Sequence, residues 1–188
     1  MPSIEEVSKV FKSDSKEEKI RIIESLSDSS NFEIINLLVS KLDDADIQVR
    51  GEAFSALMLN KNDISDILIE NLKNQSKNIR GYSALVLANR NSKKAIPEII
   101  QLAEDQSAMV RTCAIGALGH LRASEGAAAI KRCLGDHNIE VKKSAIKSAI
   151  DIGDKGLLAE LAHLSGKDDP EIRHLLARGK QLSGPGGI

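Results

Sequence analysis

Few residues of this chain have the types and spacing that catalysis or metal binding requires. The strongest metal candidates are Cys113, Cys133, His120 and His137. Cys133 and His137 stand four residues apart, but His137 follows a Gly-Asp turn and no Cys-x-x-Cys pair occurs, so a structural zinc site is disfavoured. The sequence also lacks a phosphate loop, a Gly-x-Ser-x-Gly elbow and a His-Glu-x-x-His helix. We therefore predict no catalytic residue, no metal and no cofactor.

A regular series of basic residues is the most distinctive charged pattern. Each member follows a β-branched residue, and the intervals are 29, 30, 31, 31 and 31 residues. Its members are Arg21, Arg50, Arg80, Arg111, Lys142 and Arg173. The series could bind a polyanion, or each guanidinium could pair with a turn carboxylate of its own or an adjacent repeat, at Asp44, Asp105 or Asp136. The bidentate geometry of Arg favours pairing.

The same interval divides the chain into six repeats of two helices. Apolar residues at positions i, i+3, i+4 and i+7, as from Ile35 to Leu42, predict amphipathic helices. Ser15 and Glu18 predict a capping box, and Pro170 predicts a first helical position. The first helices are predicted at 3–12, 31–42, 62–73, 94–104, 124–134 and 154–165. The second helices are predicted at 16–27, 46–59, 76–89, 107–121, 138–152 and 169–182.

The composition also favours an all-α fold. Apolar residues make up 41% of the 188 residues, yet there is no Trp, one Tyr and three Phe, so the core must be aliphatic. Residues 1–70 hold 8 basic and 15 acidic side chains, whereas residues 71–188 hold 18 and 12. Two cysteines make no disulfide framework, and the sequence shows no signal peptide or membrane span. These features predict a cytoplasmic protein.

One family resemblance rests on the fourth repeat. Its segments 95–102, 105–111 and 114–119 read AIPEIIQL, DQSAMVR and AIGALG. They resemble the short HEAT-like repeat, also called the phycobilisome-lyase-type repeat, and the resemblance extends over residues 3–182. It implies a right-handed α-solenoid of about six helix-pair repeats. We expect a single solenoid domain over residues 1–182 and a disordered C-terminal tail over residues 183–188.

The resemblance also implies that the second helices line the concave face. The positions two, three and six residues after each β-branched anchor should point there. They are small or apolar in the middle of the chain and basic towards its end. We therefore predict a groove for a helix or an extended peptide. The predicted contacts are Glu52, Tyr82, Leu85, Lys143, Lys147 and Arg178.

The resulting prediction is a non-catalytic scaffold or adaptor for another protein. The resemblance leaves a bilin-lyase-like subunit or chaperone as one alternative. Nucleic-acid binding is another, because eight basic residues gather in the C-terminal half, although few aromatic rings are present to stack on bases. These eight are Lys131, Arg132, Lys142, Lys143, Lys147, Arg173, Arg178 and Lys180. The sequence identifies neither the partner nor the oligomeric state.

Overall fold

The computed structural model of the chain describes residues 2–164 and 169–183. Across these residues it contains twelve α-helices and no β-strand. The helices are Ile4–Phe11 (α1), Lys16–Ser25 (α2), Phe32–Ser40 (α3), Ile47–Leu59 (α4), Ser65–Glu70 (α5), Lys77–Asn89 (α6), Ile96–Leu102 (α7), Ala108–His120 (α8), Ala127–Cys133 (α9), Ile139–Ile152 (α10), Lys155–His163 (α11) and Pro170–Ser183 (α12).

The predicted helix pairs are confirmed, with small differences at their ends. The second and third pairs finish their first helices with 3-10 turns, at Lys41–Asp43 and Asn71–Lys73. The fourth and fifth pairs instead begin with such turns, at Lys93–Ala95 and Ser124–Gly126. Ser183 is the last residue of α12, so the start of the predicted tail is helical, and residues 184–188 lie outside the described part of the chain.

The helices form two compact units, residues 1–90 and residues 91–188. In the first unit the second helices pack in order, α2 against α4 and α4 against α6, while α1, α3 and α5 form the other layer. In the second unit α8 packs against α10 and α10 against α12. Each unit therefore has the layered arrangement of a helix-pair repeat protein. The prediction of one domain over residues 1–182 stays a prediction.

Both units have aliphatic cores, as the composition predicts. Ile23, Leu38 and Leu57 are fully buried in the first unit, and Ile99 and Ile115 are fully buried in the second. Burying such a side chain contributes about 1.5–3 kcal/mol relative to leaving it in water. Because a single helix pair cannot cover its own apolar face, these side chains hold neighbouring pairs together within each unit.

Helix starts are fixed by side-chain caps. One of the two hydrogen bonds of the predicted capping box at Ser15 forms, because the Ser15 hydroxyl accepts the Glu18 N–H at 3.3 Å. Both halves form at α1, where the Ser3 hydroxyl accepts the Glu6 N–H at 3.2 Å and the Glu6 carboxylate accepts the Ser3 N–H at 2.7 Å. The start of α12 at Pro170 is confirmed, and Asp169 caps it by accepting two backbone N–H groups at 2.9 Å.

Gly119 allows α8 and α10 to approach closely. A Cβ added there would lie 2.8 Å from the Ser148 Cα and 2.4 Å from its Oγ, closer than real contacts permit. We expect Gly119→Ala to lower the free energy of unfolding by about 1–3 kcal/mol, because the helices must separate. Urea denaturation followed by circular dichroism measures this loss.

The matched control is Gly51→Ala in α4. A Cβ at Gly51 meets nothing within 4 Å, so alanine should raise the free energy of unfolding by about 0.5–1 kcal/mol through its better helix propensity. Equal effects at the two glycines would contradict the close-packing account of Gly119.

Candidate partner-binding site

Helix α4 carries apolar residues around most of its circumference. Val49, Ala53 and Leu57 are buried against the rest of the first unit. Away from that core, Ile47 is 72% exposed on the flank towards α6, and Leu59 is 67% exposed on the flank towards α2. A helix that is apolar all round is ordinarily buried all round, and large exposed apolar patches mark interaction sites. The outer side of α4 is therefore the first candidate for a binding surface.

An apolar groove runs between α4 and α6, with a volume of about 270 Å³. The ring of Phe54 meets the ring of Tyr82 edge to face, with centroids 6.5 Å apart and planes at 76°. This geometry fixes both aromatic rings, because edge-to-face pairs are favourable beyond the area they bury. The residues lining the groove are Ile47, Arg50, Gly51, Phe54, Tyr82 and Leu85.

Arg50 lines this groove, and its guanidinium is hydrogen-bonded to the turn before α4. Its guanidinium donates hydrogen bonds to the carbonyl oxygens of Asp44 at 2.7 Å and Ala45 at 3.0 Å. One terminal nitrogen of the guanidinium is thereby held by the turn before α4, and the aliphatic stem can line the groove.

The C-terminal end of α4 is fixed by Arg90. Its guanidinium donates to the carbonyl oxygens of Leu57 at 3.1 Å and Met58 at 3.2 Å, which are unpaired acceptors of the last helical turn. It also donates to the backbone carbonyl oxygens of Asn60 and Asn62, at 2.5 Å each. Burial lowers the pKa of Arg90, and the nearby Asp63 carboxylate opposes that shift. The two ends of α4 are thus held by arginines.

A second groove lies on the other flank of α4, beside α2. Its lining combines three carboxylates, Glu24, Asp28 and Glu52, with the apolar side chains of Ala56 and Leu59. Lys61 lies there too, with its ammonium 3.7 Å from the Asp28 carboxylate and both side chains mostly exposed. Exposed pairs of this kind contribute little stability. The lining has a net negative charge, because it holds three carboxylates and one ammonium.

Three members of the basic series hold the turns between paired helices. Arg80 donates to the carbonyl oxygens of Asn74 and Gln75 at 2.8 Å each, as Arg50 does in its own turn. Arg111 donates to the carbonyl oxygens of Asp105 and Gln106 at 2.9 and 3.3 Å. All three arginines therefore donate to carbonyl oxygens of their own turns, which are acceptors that the sequence prediction did not name.

Arg111 also makes the predicted pair with an adjacent repeat. Its Nε and second terminal nitrogen donate to the two carboxylate oxygens of Asp136 at 2.8 and 2.9 Å. This pairing lowers the pKa of Asp136 and raises that of Arg111. Asp44, by contrast, accepts from Lys19 at 3.2 Å and Lys41 at 3.3 Å, so its predicted pairing with an arginine of the series was wrong.

The six predicted contact residues fall into separate places. Tyr82 and Leu85 lie together in the apolar groove, and Glu52 lies in the acidic groove on the other flank of α4. In the second unit Lys147 and Arg178 are exposed on α10 and α12. The sequence prediction missed Ile47, Phe54 and Leu59. The sequence signal that could have identified them is the presence of apolar residues around most of the circumference of α4.

Lys143 is occupied by carboxylates of its own unit. Its ammonium lies 2.8 Å from Glu171, 3.2 Å from Asp169 and 3.4 Å from Glu140, and its side chain is only 17% exposed. These contacts raise the pKa of Lys143 and connect α10 to the start of α12. A role in holding these helices is its most direct structural assignment.

Solved structures of repeat proteins share this fold. A designed armadillo repeat protein in complex with the peptide (KR)4 is 18% identical, with a TM-score of 0.60 over 97% of this chain and 100% of that one. The CpcE–CpcF complex of phycocyanin lyase from Nostoc sp. PCC7120 is 16% identical, with a TM-score of 0.58 over 97% and 77%. Human deoxyhypusine hydroxylase is 16% identical, with a TM-score of 0.55 over 96% and 84%.

A family model places the central part of the chain among known repeats. Residues 65–136, from α5 to the turn after α9, match the model of HEAT repeats. This segment consists of HEAT-like repeats, and the helix pairs on either side of it have the same fold. No protein of curated function matches its sequence. At identities below 20%, the similarity to the solved structures concerns the fold alone.

Other candidate chemistry in this HEAT-like repeat protein is weak. Burial raises the pKa of the Cys113 thiol to about 11 and also raises that of Cys133, so both thiols stay protonated near neutral pH. Where residues are described, the structure shows no group of three side chains able to hold a metal ion. Within the same residues, no helix has the length and apolar character needed to span a bilayer.

The basic cluster of the second unit is partly neutralised. Lys131 pairs with Glu160 at 2.5 Å, and Arg132 pairs with Glu104 at 2.8 Å. With Lys143, three of the eight residues predicted to gather there are ion-paired within the HEAT-like repeats. These pairs reduce the positive field that a polyanion would meet.

We expect the Arg111–Asp136 pair to stabilise the fold in a pH-dependent way. Asp136→Asn should lower the free energy of unfolding by about 2 kcal/mol at pH 7, because a charge-assisted bidentate contact is lost. The folded pKa of Asp136 lies below its ordinary value of 3.8. The contribution is therefore complete above that value and is lost as pH falls through the folded pKa.

Urea titrations of wild type and Asp136→Asn from pH 7 down to pH 3 measure the difference. It should be constant above about pH 5 and should shrink below 3.8. A matched control is Glu125→Gln, an exposed carboxylate in the same unit. A difference that grows on acidification would contradict the assignment.

Proposed function

We propose that this HEAT-like repeat protein is a non-catalytic interaction module that binds a polypeptide segment of a partner protein. The site is the outer side of α4 with the apolar groove that it forms with α6. The observation that carries the proposal is the exposure of Ile47 beside the apolar groove and of Leu59 on the other flank of a helix whose core-facing side is already buried. Covering these side chains with a partner removes apolar surface from water.

The dimensions of the surface favour a polypeptide over a small molecule. Ile47 and Leu59 stand twelve residues apart on one helix, a distance of about 18 Å along its axis. Open grooves flank the helix over this length, whereas small-molecule sites enclose most of their ligand. A partner segment of several residues matches the length of α4.

The structural neighbours support the same use of the fold. One is a designed armadillo repeat protein bound to a peptide, and another is a complex of two protein chains, CpcE and CpcF. The phycocyanin lyase and the hydroxylase also raise enzymatic alternatives. We assign no residue of this chain to either chemistry, so the proposal is limited to an interaction module.

The predicted contacts in the second unit are a separate proposal for that unit. Lys147 and Arg178 are exposed and available to a partner, whereas Lys143 is ion-paired. Within the first unit the apolar groove provides the anchoring contacts, because buried apolar and aromatic residues dominate binding energy.

A random peptide display library selected against the purified chain tests this proposal. Enriched sequences are synthesised, and their affinities are measured by fluorescence anisotropy. Gly51→Leu should weaken binding at least tenfold, because it fills the groove from a position where an added Cβ meets no neighbour. Tyr82→Ala should weaken binding about tenfold by removing one wall of the groove.

Gln101→Leu is the matched control, because it adds the same side chain to an exposed position on α7, a first helix. It should leave the affinities unchanged. Helical circular dichroism and urea unfolding confirm that all three variants fold. Peptides that bind Gly51→Leu and Tyr82→Ala as tightly as wild type would exclude the groove.

A further inference from the structure

Two grooves of opposite chemistry share α4. The groove towards α6 is apolar, and the groove towards α2 carries the carboxylates Glu24, Asp28 and Glu52. A segment that crosses the outer side of α4 meets both. The chemistry of the two grooves, read together, restricts which segment can bind.

We infer, resting on the proposed function, that the bound segment carries one large apolar residue and a basic residue. The apolar residue is anchored between α4 and α6, and the basic residue lies against the carboxylates beside α2. The occupant is therefore a basic polypeptide segment with an apolar anchor.

The apolar groove selects the anchor residue. Phe54, Tyr82 and Leu85 line it, and Gly51 leaves space where any other residue would place a side chain. The one cation in its lining, Arg50, already donates to two turn carbonyls. An acidic anchor would lose its hydration in a lining that holds a single cation, whereas an apolar anchor needs no polar partner.

The second groove selects the charge. Three carboxylates and one ammonium line it, and the single ion pair there, Lys61 with Asp28, is long and solvent-exposed. A basic side chain entering the groove is attracted by the carboxylates, while an acidic side chain is repelled by them. Charge complementarity of this kind contributes mainly to specificity and to the rate of association.

The width of a helix and an offset along α4 together set the spacing between the two residues. Packed helix axes lie about 8–10 Å apart, and the two linings are displaced along α4, at residues 47–54 and 52–59, by about 8 Å. The two grooves are therefore separated by roughly 12 Å. An extended segment covers this distance in about four residues at ~3.3 Å per residue. A helical segment covers it in about eight residues at ~1.5 Å per residue.

A series of labelled synthetic peptides tests the inference against the full chain. Each peptide has a Ser/Gly/Ala background with one Trp, and with Arg or Glu placed two to eight residues away on either side. Peptides with Trp alone and Arg alone complete the series. Fluorescence anisotropy gives each affinity at low and at high salt.

The Trp–Arg peptides should bind at least tenfold tighter than the Trp–Glu peptides at a spacing of about four residues, for an extended segment, or about eight, for a helical one. The preference should disappear in the triple variant Glu24→Gln, Asp28→Asn, Glu52→Gln and should fall at high salt. It should persist in a control triple variant of exposed carboxylates on first helices: Glu5→Gln, Glu33→Gln and Glu70→Gln.

The possible failures separate the inference from the proposed function. If Trp–Glu peptides bind as tightly as Trp–Arg peptides and Gly51→Leu weakens both, the charge preference is wrong and the apolar site stands. If Gly51→Leu weakens neither, both the inference and the proposed site are wrong. If no peptide of the series binds, the inference is also overturned, while the display selection still decides the proposed function.

Discussion

The structure depends on one constraint, which is that a pair of short helices cannot cover its own apolar face. In each unit the aliphatic side chains of one pair are buried only where the next pair packs on them. Small residues allow close contact, as at Gly119 against Ser148. Arginines such as Arg111 hold the turns so that successive pairs keep their register. Helix α4 departs from this pattern, because it also exposes apolar side chains, Ile47 on one flank and Leu59 on the other.

The fold could be predicted in detail because repetition averages out local ambiguity. Six equivalent positions, one every 29 to 31 residues, determine the helix pairs even where single signals are weak. The partial capping box at Ser15 shows that weakness, since the complete box formed at Ser3. The acceptors of the arginines were less predictable. Turn carbonyls carry no sequence signal, so the expected carboxylate partner of Arg50 was replaced by backbone oxygens.

The candidate site could be predicted only in part. Counting along each second helix identified Tyr82, Leu85 and Glu52, but it could not show that two grooves divide these residues. It also could not show that Lys143 is surrounded by three carboxylates, because two of them come from the start of another helix. The exposure of Ile47 and Leu59 depends on which side of α4 the core occupies, and both sides are apolar in sequence.

Site-specific photocrosslinking tests the central claim most directly, because it reports what covers α4 in the native source. A benzophenone amino acid is placed at Ile47 in the groove and, as the reference, at Gln101 on a first helix. The account predicts a discrete covalent adduct with a polypeptide at Ile47, abolished by Gly51→Leu, and none at Gln101. Equal labelling at both positions, or an Ile47 adduct that survives Gly51→Leu, would contradict it.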